Sequence, residues 1–172
     1  MNWYLTLAVL VSLATLGGAL FFFKMHTKHT LNLLKIDIQK ANSQSITPLK
    51  LQAYERIALL SERTSLPALI KEYASTVTSA RAFTQIALNA INEEYKYNVS
   101  QQIYVSEQLW TLVKVTKEQH SQLLNQLLQN LPEHATSADM SKELIQWLQQ
   151  QDQQPQDKVL HFLKKEIALY FS

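Results

Sequence analysis

Apolar and polar positions follow three different schedules along this chain. From Trp3 to Phe23, WYLTLAVLVSLATLGGALFFF, 21 residues pass without a charge. At about 1.5 Å per residue a helix of that length runs about 31 Å, close to the ~30 Å hydrocarbon core of a bilayer. A secretory signal peptide would bring a positive n-region, a shorter apolar stretch and a small-x-small cleavage site. Here only Met1 and Asn2 precede the run, and Phe21, Phe22, Phe23 and Lys24 end it. The pattern predicts a retained transmembrane anchor over residues 1–23, in contact with the lipid bilayer through Trp3 to Phe23.

The second schedule covers residues 24–47. KMHTKHTLNLLKIDIQKA puts Leu31, Leu34 and Ile38 on one face of a helix. The alternation of Leu34, Ile36 and Ile38 would also suit a strand, but an isolated strand has nothing to pair with. NSQSITP then breaks the pattern, with Thr47 placed as an N-cap and Pro48 at the first position of the next helix. A juxtamembrane helix and linker are therefore expected over 24–47.

From Pro48 to Ser172 the spacing is that of amphipathic helices separated by short breaks. The first runs to Arg63 with an expected stripe of Leu51, Tyr54, Ala58 and Leu59, and Ser65 caps a second. A third covers about 79–97 through Ala82, Ile86, Leu88 and Ile91. Ser106 caps the longest, with its stripe at Leu109, Val113, Thr116, His120, Leu124, Leu127 and Leu131 and its end at Pro132. SADMSKELIQWLQQQ and DKVLHFLKKEIALYF form two more, separated by the glutamine-rich QQDQQPQ. The predicted fold class is all-α, an N-terminal transmembrane helix followed by a cytoplasmic multi-helix bundle over 48–172.

Composition agrees with this reading. Glycine occurs at 2 positions and proline at 4, and glycine costs about 1 kcal/mol per interior helical position relative to alanine. Both glycines, Gly17 and Gly18, lie in the apolar run, where Ala14 and Gly18 give a small-xxx-small spacing that lets two spans approach closely. With no cysteine, disulfides, thiolate zinc sites and thiol nucleophiles are excluded. The net charge of +2 is uneven: residues 1–47 carry Lys24, Lys28, Lys35 and Lys40 against Asp37 alone, and the rest holds 12 basic and 13 acidic side chains. The domain thus has no field that favours nucleic acid. All four flanking lysines follow the apolar run, which orients a single span at the inner (cytoplasmic) membrane with its N-terminus outside and its domain in the cytoplasm.

LQAYERIALLSER (Leu51 to Arg63) and NVSQQIYVSEQLW (Asn98 to Trp110) resemble a family of small single-span membrane-anchored bacterial proteins of unknown function, seen chiefly in Bacteroidota. The resemblance takes in residues 1 to 130 and the layout of span, charged helix and helical domain. It implies location and architecture, and it brings no catalytic role to any residue.

The sequence offers little chemistry. Glu-x-x-His and His-Glu-x-x-His spacings are absent, and with both glycines in the apolar run there is no glycine-rich phosphate loop. Glu93 and Glu94 are adjacent and point about 100° apart on a helix, so they cannot face one substrate. His26 and His29, one turn apart, could hold a metal, although a polar juxtamembrane turn is the plainer reading. His120 reads as a structural histidine on an apolar stripe. No catalytic residue, metal ligand or cofactor is assigned. Asn98-Val99-Ser100 matches the N-glycosylation sequon, which a cytoplasmic domain never presents to a glycosyltransferase.

What remains is a polar and aromatic corner. Arg56 and Arg63 lie seven apart on one helix face and could grip a carboxylate or phosphate, or form ion pairs between helices. With Tyr95, Tyr97, Gln101, Gln102, Tyr104 and Trp110 they make up the candidate interaction surface. One reading is a non-catalytic module that binds a protein partner or a second copy of itself. The other is a sensor or enzyme for a small anionic ligand, with a pocket around Arg56, Arg63 and the Tyr/Trp cluster.

Overall fold

The computed structural model of the chain describes residues 3–171; within them the side chains of residues 4–6, 8, 9, 11, 12, 14, 19, 29–34, 36, 38, 39, 41–43, 170 and 171 lie outside the description. The described residues are helical apart from short connections and one isolated bridge, so the fold is all-α. The chain divides into two compact units, Met1–Pro48 and Leu49–Ser172.

The first unit consists of the early part of α1 (Trp3–Arg63). Its described apolar side chains, from Trp3 and Leu7 to Phe23 and Met25, are all exposed. A Cβ added at Gly17 or Gly18 would meet nothing within 4 Å, while Ala14, the other half of the small-xxx-small pair, is outside the described side chains, as is His29. Thr27 Oγ1 donates to the Phe23 carbonyl at 2.8 Å, a local bond within the helix. Among the described residues no helix is long and apolar enough to cross a membrane. Nine side chains of Trp3–Phe23, those of Leu5, Val9 and Val11 among them, fall outside the description. The span is therefore a reading of the sequence alone.

A break at 41–47 with Thr47 as cap does not occur: α1 continues through Pro48. Proline's fixed φ of about −65° is itself helical, so the cost is one missing N–H bond and some crowding of the preceding turn. Once past it, burial of Ala53, Tyr54, Ile57 and Leu60 holds the helix.

In the second unit, the turns into four of the helices are made by hydroxyl side chains. Ser65 accepts from the Ala68 N–H ahead of α2 (Leu66–Tyr73), and Ser79 from the Ala82 N–H ahead of α3 (Ala80–Asn98). A 3-10 turn, Val99–Ile103, leads to Ser106, which accepts from the Leu109 N–H at the start of α4 (Glu107–Asn130). Thr136 and Asp139 form a reciprocal capping box on α5 (Ser137–Gln149), and Thr136 holds the Asp139 carboxyl below its ordinary pKa. α6 (Pro155–Phe171) starts at Pro155, inside the expected glutamine-rich linker, because the first helical position is where proline's missing N–H costs nothing. Two of these caps also pair with each other. Ser79 and Thr136 form an antiparallel bridge, with the Ala80 N–H on the Ala135 carbonyl and the Ser137 N–H on the Thr78 carbonyl, each at 2.9 Å.

Two apolar clusters fill this unit. One gathers Leu66 and Leu69 of α2, Phe83, Ala87 and Ile91 of α3, Leu123 and Leu124 of α4, and Met140 and Leu144 of α5. The other joins Tyr54, Ile57 and Leu60 of α1 to Leu109, Trp110 and Val113 of α4 and to Val159 and Leu163 of α6. The expected α4 stripe is buried from Leu109 through Val113, Thr116 and His120 to Leu124. The α1 stripe needs correction: Tyr54 is buried, but Leu51 and Leu59 are exposed, and Ala53, Ile57, Leu60, Ser61 and Thr64 take the inner face. In α3 the inner positions are Phe83, Thr84, Ala87 and Ile91, with Ala82, Ile86 and Leu88 at its margins.

Phe83 is fully buried, so Phe83→Ala should lower stability by about 3–5 kcal/mol. Leu51→Ala, at a position 43% exposed, should stay within about 0.5 kcal/mol of the parent. Denaturant unfolding of the two variants checks the inner face of α1 along with the core of α3.

Candidate functional site

The tyrosine-rich stretch does not form one surface. Asn98 ends α3 with its side chain buried, donating from Nδ2 to the Glu94 carbonyl at 2.9 Å and to Glu94 Oε1 at 3.2 Å. The amide nitrogen a glycosyltransferase would need is thus enclosed. The aromatic side chains on either side of the 3-10 turn that follows go to three different places.

Tyr95 and Trp110 stack on each other, ring centroids 5.5 Å apart at 26°, with Lys117 Nζ 5.2 Å from the Tyr95 centroid. Trp110 belongs to the second apolar cluster, against which Tyr95 packs. These two residues serve the core, as cross-helix aromatic pairs do.

Tyr97 points instead toward the arginines. The Arg56 guanidinium carbon lies 5.3 Å from the Tyr97 ring centroid, and hydrogen bonding and charge from Arg56 lower the Tyr97 hydroxyl below its ordinary pKa. Arg63 Nη1 reaches Glu94 Oε1 at 3.5 Å. Arg63, Thr64, Glu72, Tyr73, Ala90, Glu93, Glu94 and Tyr97 line a cleft of about 610 Å³. Burial, then the neighbouring Glu72 carboxylate, raises the Tyr73 hydroxyl. The anionic-ligand reading draws no support from this cleft: Glu72, Glu93 and Glu94 line it, the Arg63 guanidinium is turned to Glu94 and the Lys96 ammonium to Glu93, and these ion pairs are too exposed to be worth more than about 0.2–1 kcal/mol each.

Tyr104 lies in a third place, which the sequence did not single out. With Lys50 and Tyr54 of α1, Ile103, Val105, Ser106 and Gln108, and Phe162, Lys165, Glu166 and Leu169 of α6, it lines a largely apolar groove of about 580 Å³. Glu166 organises it. Its Oε1 accepts from the Tyr54 hydroxyl at 3.0 Å and from the Ser106 N–H at 2.9 Å, and its Oε2 accepts a short bond from the Ser106 hydroxyl. A carboxylate from α6 thereby holds the N-cap of α4, where negative charge meets the positive end of the helix. Nothing in the local sequence marks Glu166, because its partner lies 60 residues away. Gln101 donates to the Ser100 hydroxyl at 3.2 Å, and Gln102 is exposed on the same turn.

Among the described residues His120 is the one strongly perturbed base. It is 1% exposed, and neither ring nitrogen has a hydrogen bond of good geometry; Gln156 Oε1 is in the same position. The Thr64 backbone and the Gln156 amide are near enough to favour the charged form, but burial outweighs them and pushes the pKa down to about 4. Near neutral pH the ring is uncharged and a weak base. Among the described residues no group of three His, Cys, Asp or Glu side chains could hold a metal ion.

The folded state keeps His120 neutral to about pH 4, whereas the unfolded chain protonates it near 6.5. Its contribution is therefore complete above about pH 6.5 and is lost as pH falls toward 4, up to about 3 kcal/mol. Between pH 7 and 5 the wild type should lose about 2 kcal/mol more than His120→Met, read from denaturant midpoints. Removing the carboxylate clamp by Glu166→Ala should cost about 1–3 kcal/mol, because the Ser106 and Tyr54 donors lose their acceptor.

No curated protein and no solved structure matches the chain. A family of unknown function, DUF7935, matches residues 2–170, a range that reaches past the two resembling stretches to include α5 and nearly all of α6. The chain belongs to this family of unknown function.

Proposed function

We propose that the protein is a single-span membrane protein of the inner membrane whose helical domain, on the cytoplasmic side, docks a protein partner without catalysing a reaction. The observation that carries the anchor is the run of 21 uncharged residues from Trp3 to Phe23. The described leucines and phenylalanines of that run are exposed on successive turns of α1, and surfaces of that extent are covered by lipid or by another protein. The four lysines that follow the run supply the orientation.

The domain's own surface supports docking. Tyr97 is 67% exposed beside Arg56, with the Arg63 cleft adjacent and Gln102 on the next turn. Tyrosine and arginine are enriched at interface centres. The acidic walls of the cleft favour a partner that presents lysine or arginine. Tethering such a partner at the membrane needs an anchor, a rigid helical body and an exposed face, and no reactive group.

A compartment-sensitive reporter fused after Ser172 should read cytoplasmic, and the chain should stay in the membrane pellet through alkaline carbonate washing. Release into the supernatant would remove the anchor from the proposal, and an external reporter would reverse its orientation. A photo-crosslinker placed at Gln102 in intact cells should give a discrete adduct that Tyr97→Ala combined with Arg56→Ala diminishes; an adduct unchanged in that variant would move the docking face elsewhere.

A further inference from the structure

The glutamine-rich connection between α5 and α6 shares a pocket with the glutamines of α4. Gln119, Gln122 and Gln126 follow one another at helical spacing on one face of α4, and with Gln151 and Gln153 of the connection they line a space of about 270 Å³. Gln151 Nε2 reaches the Trp147 carbonyl only at 3.5 Å. Among the described residues, the amides of Gln119, Gln122, Gln126 and Gln153 have no protein partner. Trp147, half-buried and packed on the first apolar cluster, supplies the aromatic wall.

Elimination narrows the ligand. The lining contains no carboxylate, so a cation has no counter-charge there. Its titratable groups are Lys158, exposed on α6, and His120, which is uncharged near neutral pH. An anion would find a single exposed ammonium, and such a contact is weak. An apolar ligand would strip water from the amides and return no hydrogen bond. A planar base has polar atoms only at its edge, whereas the amides come from two separate elements. What fits is an uncharged ring that carries hydroxyls all round. Each hydroxyl both donates and accepts, as does each primary amide, and the C–H groups on one face of a pyranose cover an indole by dispersion. The volume lies just under the range of about 300–1,000 Å³ usual for drug-sized ligands, which suits one ring.

We propose that this pocket binds a single uncharged sugar ring, stacked on Trp147 with its hydroxyls on the glutamine amides of α4 and of the connection that follows α5. The site goes beyond the docking of a protein partner and does not rest on it. Every residue that lines it belongs to the second unit, so it stands whether or not the N-terminal stretch lies in a bilayer.

The test uses the full-length chain, purified in a detergent without a sugar head group. D-glucose, D-galactose, D-mannose and N-acetyl-D-glucosamine are added separately at millimolar concentration and binding is read by saturation-transfer difference NMR. At least one should receive saturation at its ring C–H protons. Gln122→Ala combined with Gln126→Ala, both at exposed positions, should weaken that sugar by about fivefold or more with the helical circular-dichroism spectrum unchanged. Trp147→Leu should abolish the signal; should that variant unfold, the glutamine variant alone decides. Absence of transfer to all four sugars, transfer undiminished in the glutamine variant, or binding of inorganic phosphate, adenosine or uridine in preference to the sugars overturns the proposal.

Discussion

The passage of one helix through two cores is the constraint on which the domain depends. α4 gives Leu109, Trp110 and Val113 to the cluster built with α1 and α6, and Leu123 and Leu124 to the cluster built with α2, α3 and α5. Between these ends the same face of α4 carries Thr116 and His120, both buried. The layer is polar yet tolerable because most of its hydroxyls bond locally: Ser61 to the Ile57 carbonyl and Thr64 to the Leu60 carbonyl, each one turn back on α1. Thr116 reaches the Pro155 carbonyl only at 3.4 Å, and His120 and Gln156 keep buried atoms without well-formed bonds. A neutral imidazole can occupy such a layer at modest cost and an imidazolium cannot.

The second organising device is the use of side chains to fix the helix ends. A serine or threonine N-cap satisfies only one or two of the orphan N–H groups of its helix, but here the caps are also tied to each other or to distant elements. Ser79 and Thr136 bridge, Ser137 Oγ donates to the Ala74 and Val77 carbonyls at 2.8 Å, and Glu166 reaches across from α6 to Ser106. The Glu166 bonds to Ser106 thereby tie the start of α4 to α6, the two sides of the apolar groove.

Legibility in the sequence followed the kind of signal. Caps were readable because Ser65 and Ser106 have a local mechanism, and the α4 stripe because its apolar residues sit on one face among Lys114, Lys117, Glu118 and several glutamines. The α1 stripe was ambiguous, since Leu51, Ala53, Tyr54, Ile57, Ala58, Leu59 and Leu60 surround most of the helix. Only the partners on α4 and α6 select Ile57 and Leu60 over Leu51 and Leu59. Pro48 misled for a similar reason, because a proline marks a boundary on average and can be overridden where the flanking turns are held. At the site, neighbours in sequence are not neighbours in space. Tyr95, Tyr97 and Tyr104 lie within ten positions and face three environments, and the carboxylate that organises one of them comes from the far end of the chain.

α1 runs without a break past Pro48, where the two units divide. Residues before Pro48 carry the apolar run, and residues after it place Tyr54, Ile57 and Leu60 in the core. A chain shortened to leave out all of α1 would thus lose three buried side chains of the second cluster along with the apolar stretch, and Glu166 would lose the Tyr54 hydroxyl. Removal of the apolar run and removal of the core's α1 segment are distinct perturbations, and only the second takes side chains from the core. From Tyr54 to Leu60 α1 is part of the second unit's interior, and the groove and the acidic cleft are lined by residues of that unit alone.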